Sequence, residues 1–116
     1  PDYVKIALQS LDQLDADRLI EKQKIDTLHT RLSDILRSYL ENYFRLKARE
    51  QTTEEFIRDI SHSSQFTGDQ RNLLLQFLRL ADLVKFATFE PGSEASQNAF
   101  KSVKNFVLTT GKKNGI

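Results

Sequence analysis

Two histidines, His29 and His62, and no cysteine occur in the 116 residues. The missing thiols exclude a disulfide scaffold, a thiolate metal site and a cysteine nucleophile. Neither histidine stands in a common metal-binding or catalytic spacing. His29 falls inside a helical pattern and reads as a boundary residue. His62 falls near the end of a helix, where an imidazole complements the dipole. The adjacent Glu54 and Glu55 read as first-turn residues facing a helix N-terminus, not as an acid–base pair. The four glycines occur singly, so no glycine-rich phosphate loop is present. The expectation is a non-enzymatic chain with no catalytic residue, no cofactor and no metal.

Two charged constellations remain. Gln76, Arg79, Asp82 and Lys85 recur every three residues along an otherwise apolar helix. Asp82 and Lys85 can pair at i,i+3, or Asp82 can reach an arginine of the second helix. The strip reads as a structural ion pair, largely buried and serving packing specificity; its functional alternative is part of a partner-binding groove. After Glu94 the chain carries Lys101, Lys104, Lys112 and Lys113 and no acid. This basic patch reads as a solvated helix face, with contact to phosphate or anionic lipid as the alternative.

The elements that position these groups follow from apolar spacing. A first helix is predicted over residues 2–14, carrying Val4, Ala7, Leu8, Leu11 and Leu14. Asp12, Asp15 and Asp17 oppose its dipole and stop it, and Asp17 is expected to cap a short turn with Leu19 and Ile20. The second helix spans 24–44. Ile25, Leu28, Leu32, Ile35, Tyr39 and Tyr43 form its stripe, widened by Leu36, Leu40 and Phe44. Arg31, Asp34, Arg37, Ser38 and Glu41 read as its solvated face. Thr52 with Glu55 and Thr67 with Gln70 are capping boxes that start a short third helix and a fourth reaching Ala87. The fourth is apolar nearly all round, from Leu73 to Ala87, so it is expected at the centre of the domain. Pro91-Gly92-Ser93 turns the chain into a fifth helix over 94–108, buried through Ala95, Ala99, Phe100, Val103, Phe106 and Val107. Gly111 is expected to close it.

Leucine accounts for 16 residues and phenylalanine for 8, whereas glycine and proline together make up only about 5%, against roughly 12% in soluble proteins. Sandwiches and barrels need more turns than that. A 39% hydrophobic share with net charge +1 also excludes disorder. The fold expected is all-α, a single compact bundle of about five helices over 1–110 with a flexible tail at 111–116. No apolar run approaches the roughly 18 residues of a membrane span. The chain starts at Pro1 and lacks Met, which fits removal of an initiator or a piece cut from a longer protein. Helix–break–helix over 56–80 superficially suits DNA binding, but a recognition helix needs polar side chains, and the second helix here is the apolar one.

Three phrases occur in order: Arg31-Leu-Ser-Asp-Ile-Leu-Arg-Ser-Tyr-Leu-Glu41, Thr52-Thr-Glu-Glu-Phe56 and Ala81-Asp-Leu-Val-Lys-Phe-Ala87, with Pro91 shortly after. From Arg31 to Val107 the chain resembles the soluble helical domain of BatD-like bacterial inner-membrane proteins. These accompany MoxR-type ATPases and von Willebrand factor A proteins in aerotolerance-type operons. The resemblance implies a bacterial source and the cytoplasmic face of the inner membrane. It further implies an accessory or adaptor role beside an AAA+ ATPase, and carries over no catalytic or binding residue.

The first functional reading is thus a protein-interaction domain tethered to a membrane helix outside this chain. If Leu40, Leu46, Phe66 or Phe89 are exposed as one patch, that patch is the candidate contact surface; the acidic first and basic last helices give an electrostatic asymmetry, and either end is a candidate contact. The alternative is a free cytoplasmic module that binds nucleic acid or anionic membrane through the C-terminal lysines. A third is a domain that only supports its parent's fold or dimerisation.

Overall fold

The capping signals at Thr52 and Thr67 mark helix starts in the computed structural model, which describes the backbone of residues 1–114 and the side chains of residues 1–111. Five α-helices are formed: α1 (Tyr3–Ala16), α2 (Ile25–Tyr43), α3 (Thr53–His62), α4 (Gly68–Phe86) and α5 (Ser93–Asn114). A single 3-10 turn, Ala48–Glu50, lies between α2 and α3. Among the described residues there is no strand, and the fold is the expected all-α bundle.

Both capping boxes form as read. The Thr52 hydroxyl accepts from the Glu55 N–H and the Glu55 carboxylate accepts from the Thr52 N–H. Thr67 and Gln70 repeat the arrangement at α4. Each box satisfies two backbone donors that a helix start otherwise leaves orphaned. The Glu55 carboxyl is held below its ordinary range, chiefly by the backbone bond from Thr52.

The first break departs from expectation. Asp17 does not cap the following turn; it closes α1, which runs two residues past Leu14. Its carboxylate accepts from Arg31 Nη1 at 2.6 Å and from Gln13 Nε2 at 3.0 Å. A nearby guanidinium offsets the unfavourable dipole that the acidic residues were expected to feel.

The centre of the bundle is α2, not α4. α2 packs against α1, α4, α5 and the 3-10 turn, and buries Ile25, Leu28, His29, Leu32, Ser33, Leu36, Tyr39 and Leu40. α4 buries only Leu74, Phe77, Leu78, Ala81 and Val84, while Leu83 and Phe86 face water. Apolar composition alone does not centre a helix; two-sided neighbours do, and α4 meets α5 only sparingly. Rings from three regions close one end of the core. Phe44 lies 4.7 Å from Phe66, and Phe106 of α5 stands 6.1–6.2 Å from Tyr39, Phe44 and Phe66.

α5 also differs from its sequence reading. It starts at Ser93, with the Gly92 carbonyl accepting from the Ser96 N–H, and Ala95 is exposed. The buried face instead includes the polar Ser96 and Thr110. Gly111 does not end the helix. It lies inside α5, where a β-carbon would fall 2.6 Å from Val4 Cγ1, so its role is close approach to α1. The tail expected over 111–116 is therefore helical as far as Asn114, and its last two residues lie outside those described.

Candidate functional site

The strip on α4 does not come together as one site. Steps of three drift by about 60° each on a helix with 3.6 residues per turn, and the structure separates the four residues accordingly. Gln76 lines a shallow groove between α4 and α5. Arg79 reaches Glu54 of α3 at 3.8 Å, with both side chains more than half exposed. This Arg79–Glu54 contact is a surface pair of small energetic weight, and the Asp82–Lys85 ion pair expected from the spacing does not form among the described residues. Asp82 and Lys85 alone share a cleft.

That cleft, about 440 Å³, is bounded by α2, the 3-10 turn, the start of α3 and the last turns of α4. Its floor is a relay of three side chains. Arg37 Nη2 donates to Thr53 Oγ1 at 2.8 Å, and Thr53 Oγ1 donates to Asp82 Oδ1 at 3.0 Å. Asp82 therefore does reach an arginine of α2, through a hydroxyl rather than directly, and does so in place of Lys85. The helical pattern puts Arg37 on the solvated face, yet it is half-buried, with its guanidinium 5.6 Å from the Phe56 ring centroid. Neither Arg37 nor Thr53 stood out in sequence, because the α2 stripe put Arg37 outside and Thr53 read as the first helical residue after a cap.

Charge on the cleft walls is unevenly matched. Arg49 is held by Glu41 through Nε at 3.1 Å, and its backbone N–H by the other carboxylate oxygen. Lys85 makes no ion pair among the described residues and lies 5.9 Å from the Phe86 ring centroid. Gln51 donates from Nε2 to Asp59 at 2.6 Å, which fixes the amide's orientation, since a carboxylate only accepts. Its Oε1 is closed off from water and has no partner.

Phe86 forms the rim and leads onto an apolar ledge. It is 77% exposed, with Leu83 at 49% and Phe89 at 48%. The Phe89 N–H bonds the Leu83 carbonyl at 3.2 Å, which folds the chain after α4 back beside Leu83. The turn needs Thr88 at φ 53°, unusual for a β-branched residue. The contact patch expected from sequence is corrected here. Leu40 and Phe66 are core residues and Leu46 is half-buried, so of the four only Phe89 faces water.

The acidic and basic helices are neighbours rather than opposite ends: α1 and α5 pack together, and Lys104 lies 4.0 Å from Asp12. Lys101 is exposed; the side chains of Lys112 and Lys113 lie outside those described.

The histidines divide sharply. His62 ends α3, its Nδ1 2.8 Å from the Arg58 carbonyl, at the dipole end read from sequence. His29 is no boundary residue. It has no exposed surface, and its Nε2 lies 3.0 Å from Ser96 Oγ across the α2–α5 junction, while Nδ1 has no partner. Burial holds its pKa below the ordinary value. Tyr39 is sealed in the same junction, its hydroxyl 2.7 Å from Thr110 Oγ1, and burial pushes its pKa up to about 12. Among the described residues no group of three His, Asp or Glu side chains could hold a metal, and no helix is long and apolar enough to cross a membrane.

Comparison with models of protein families, with curated proteins and with solved structures finds no match to this chain.

Proposed function

We propose that this chain is a non-enzymatic protein-interaction domain whose contact surface is the end of α4: the Leu83–Phe86–Phe89 ledge together with the cleft behind it. The observation that carries the reading is Phe86. A phenylalanine 77% exposed beside two half-exposed apolar neighbours presents area that association would remove from water. Covering it would withdraw on the order of 150 Å² of apolar surface, or about 3–4 kcal/mol before association costs. Single exposed apolar residues are ordinary, whereas a contiguous group beside a polar-floored cleft has the make-up of an interaction site.

The setting of the interaction rests on the sequence resemblance alone. On that basis the domain works as an adaptor on the cytoplasmic face of a bacterial inner membrane, beside a MoxR-type ATPase and von Willebrand A proteins. Any membrane attachment comes from a segment outside this chain. The alternative of nucleic-acid or anionic-membrane binding through the C-terminal lysines has less support, because Lys104 stands against Asp12 of the adjoining α1.

The test is site-specific crosslinking in cells. A photoreactive phenylalanine analogue replaces Phe86 in the full-length natural protein, or Asn105 on the exposed side of α5 as control. A discrete protein adduct from position 86 and none from position 105 is the expected result. Equal adducts, or none from position 86, refute the reading. Fractionation with protease added to intact and lysed spheroplasts tests the setting: the domain should pellet with membranes and be cut only after lysis.

A further inference from the structure

We infer that the occupant of the α4 cleft is an acidic peptide segment of a partner protein, with an apolar side chain next to its carboxylate. The inference rests on the interaction-domain reading and names the chemistry that the same surface would take. Three observations point to one class of occupant. First, the charges on the walls do not cancel. Arg49 is matched by Glu41 and Asp82 by Arg37 through Thr53, which leaves Lys85 without an ionic partner among the described residues. Arg37 spends one of its five N–H groups on Thr53, so further donors remain beside Lys85. A carboxylate is the complementary group.

Second, Gln51 in the cleft wall has an amide oxygen bonded to nothing. A buried acceptor without a partner is costly. Gln51 lines the cleft, and a peptide backbone supplies the N–H groups that such an acceptor lacks. Third, the rim is Phe86, continuous with Leu83 and Phe89. Inorganic phosphate or a sugar–phosphate backbone supplies an anion but no apolar group for Phe86, and a lipid headgroup separates its anion from its apolar chains by the glycerol backbone. A peptide supplies all three. The volume of about 440 Å³ lies in the range of small-ligand pockets, enough for a few side chains rather than a whole helix.

The experiment is a titration of this chain, labelled with nitrogen-15, read by amide shifts. One probe is an acetylated and amidated peptide, Glu-Asp-Leu-Phe-Glu-Asp-Leu-Phe. The others are its counterpart with Lys and Arg in place of the acids, and inorganic phosphate. Saturable shifts are expected with the acidic peptide at Thr53, Asp82, Lys85, Phe86 and the Gln51 side-chain amide. The basic peptide should bind about tenfold more weakly or not at all, and Lys85→Glu should weaken the acidic peptide about tenfold. Phe86→Ser should also weaken it. Both residues are exposed, so the variants should keep the wild-type melting temperature.

Equal binding of the two peptides, shifts centred on α1 or α5, or indifference to Lys85→Glu overturns the inference. Saturable shifts of the same amides by phosphate alone overturn it in favour of an anion site. Self-association lost in Phe86→Ser, with no peptide binding, overturns it in favour of a second copy of the chain. The Phe86 crosslink separates the two claims. A partner adduct without acidic-peptide binding removes only the partner chemistry, and peptide binding without an adduct removes only the cellular interaction role.

Discussion

Replacing Gly111 with Ala should cost stability, yet raise it once Val4 is shortened to Ala. An added β-carbon at Gly111 would lie 2.6 Å from Val4 Cγ1 and 2.8 Å from Cγ2, where carbons prefer about 3.5–4.0 Å. Valine has one favoured rotamer in a helix and cannot swing both methyls away, so α1 and α5 must part by roughly 1 Å. Overpacking of this kind costs about 1–3 kcal/mol. Opposing it, Ala is better than Gly in a helix by up to about 1 kcal/mol. The net effect of Gly111→Ala in the natural chain is therefore a loss of about 1 kcal/mol. In the Val4→Ala background the two methyl clashes disappear and only a 3.3 Å contact with the remaining Cβ is left, so the propensity term wins and the same substitution should gain about 0.5 kcal/mol. Urea unfolding of the four proteins, followed by far-ultraviolet circular dichroism, gives the coupling energy, expected near about 1.5 kcal/mol. If Gly111→Ala stabilises the natural chain, or shifts stability equally in both backgrounds, α1 and α5 are not in the close contact described.

Three further outcomes follow from the buried and strained positions. His29 has a folded-state pKa depressed by burial relative to about 6.5 when unfolded. Below that value the unfolded chain binds a proton that the folded chain refuses, so stability should fall as pH drops, by at most about 1.4 kcal/mol per pH unit. His29→Leu should flatten the urea midpoint between pH 7.5 and 5.5; an unchanged slope would mean that another group titrates. Thr53→Val removes the hydroxyl between Arg37 and Asp82 and should cost about 1 kcal/mol. Chemical shifts of the Arg37 and Asp82 side chains should change with it. Thr88→Gly relieves a left-handed β-branched residue and should add about 0.5–1 kcal/mol, raising Tm by about 3 °C in a thermal melt.

How much was legible in the sequence differs from element to element. The capping boxes at Thr52 and Thr67 were fully readable, because a side chain bonding a backbone N–H three residues away is a local event. The α2 stripe was readable for the same reason: a period of 3.6 is written in consecutive residues. The C-terminus of α5 was missed, since Gly111 reads as a helix stop unless one knows that Val4 of another helix presses on it. The polar side of the core was missed as well. His29 and Ser96 are each plausible surface residues, and only their meeting across α2 and α5 makes both buried.

The candidate site shows the same division. Asp82 and Lys85 were singled out from spacing, but their relation was not, because Thr53 and Arg37 come from other elements. Phe86 was assigned to a buried face on composition, and the structure leaves it at the surface.

Sequence alone determined that the chain forms five helices, where most of them start, and which residue types it lacks for thiolate chemistry. Those properties depend on contacts within one or two helical turns. The tertiary structure decided which helix is central, which apolar residues face water, and which charges cancel. These depend on how helices distant in sequence share a finite surface, and no single helix carries that information.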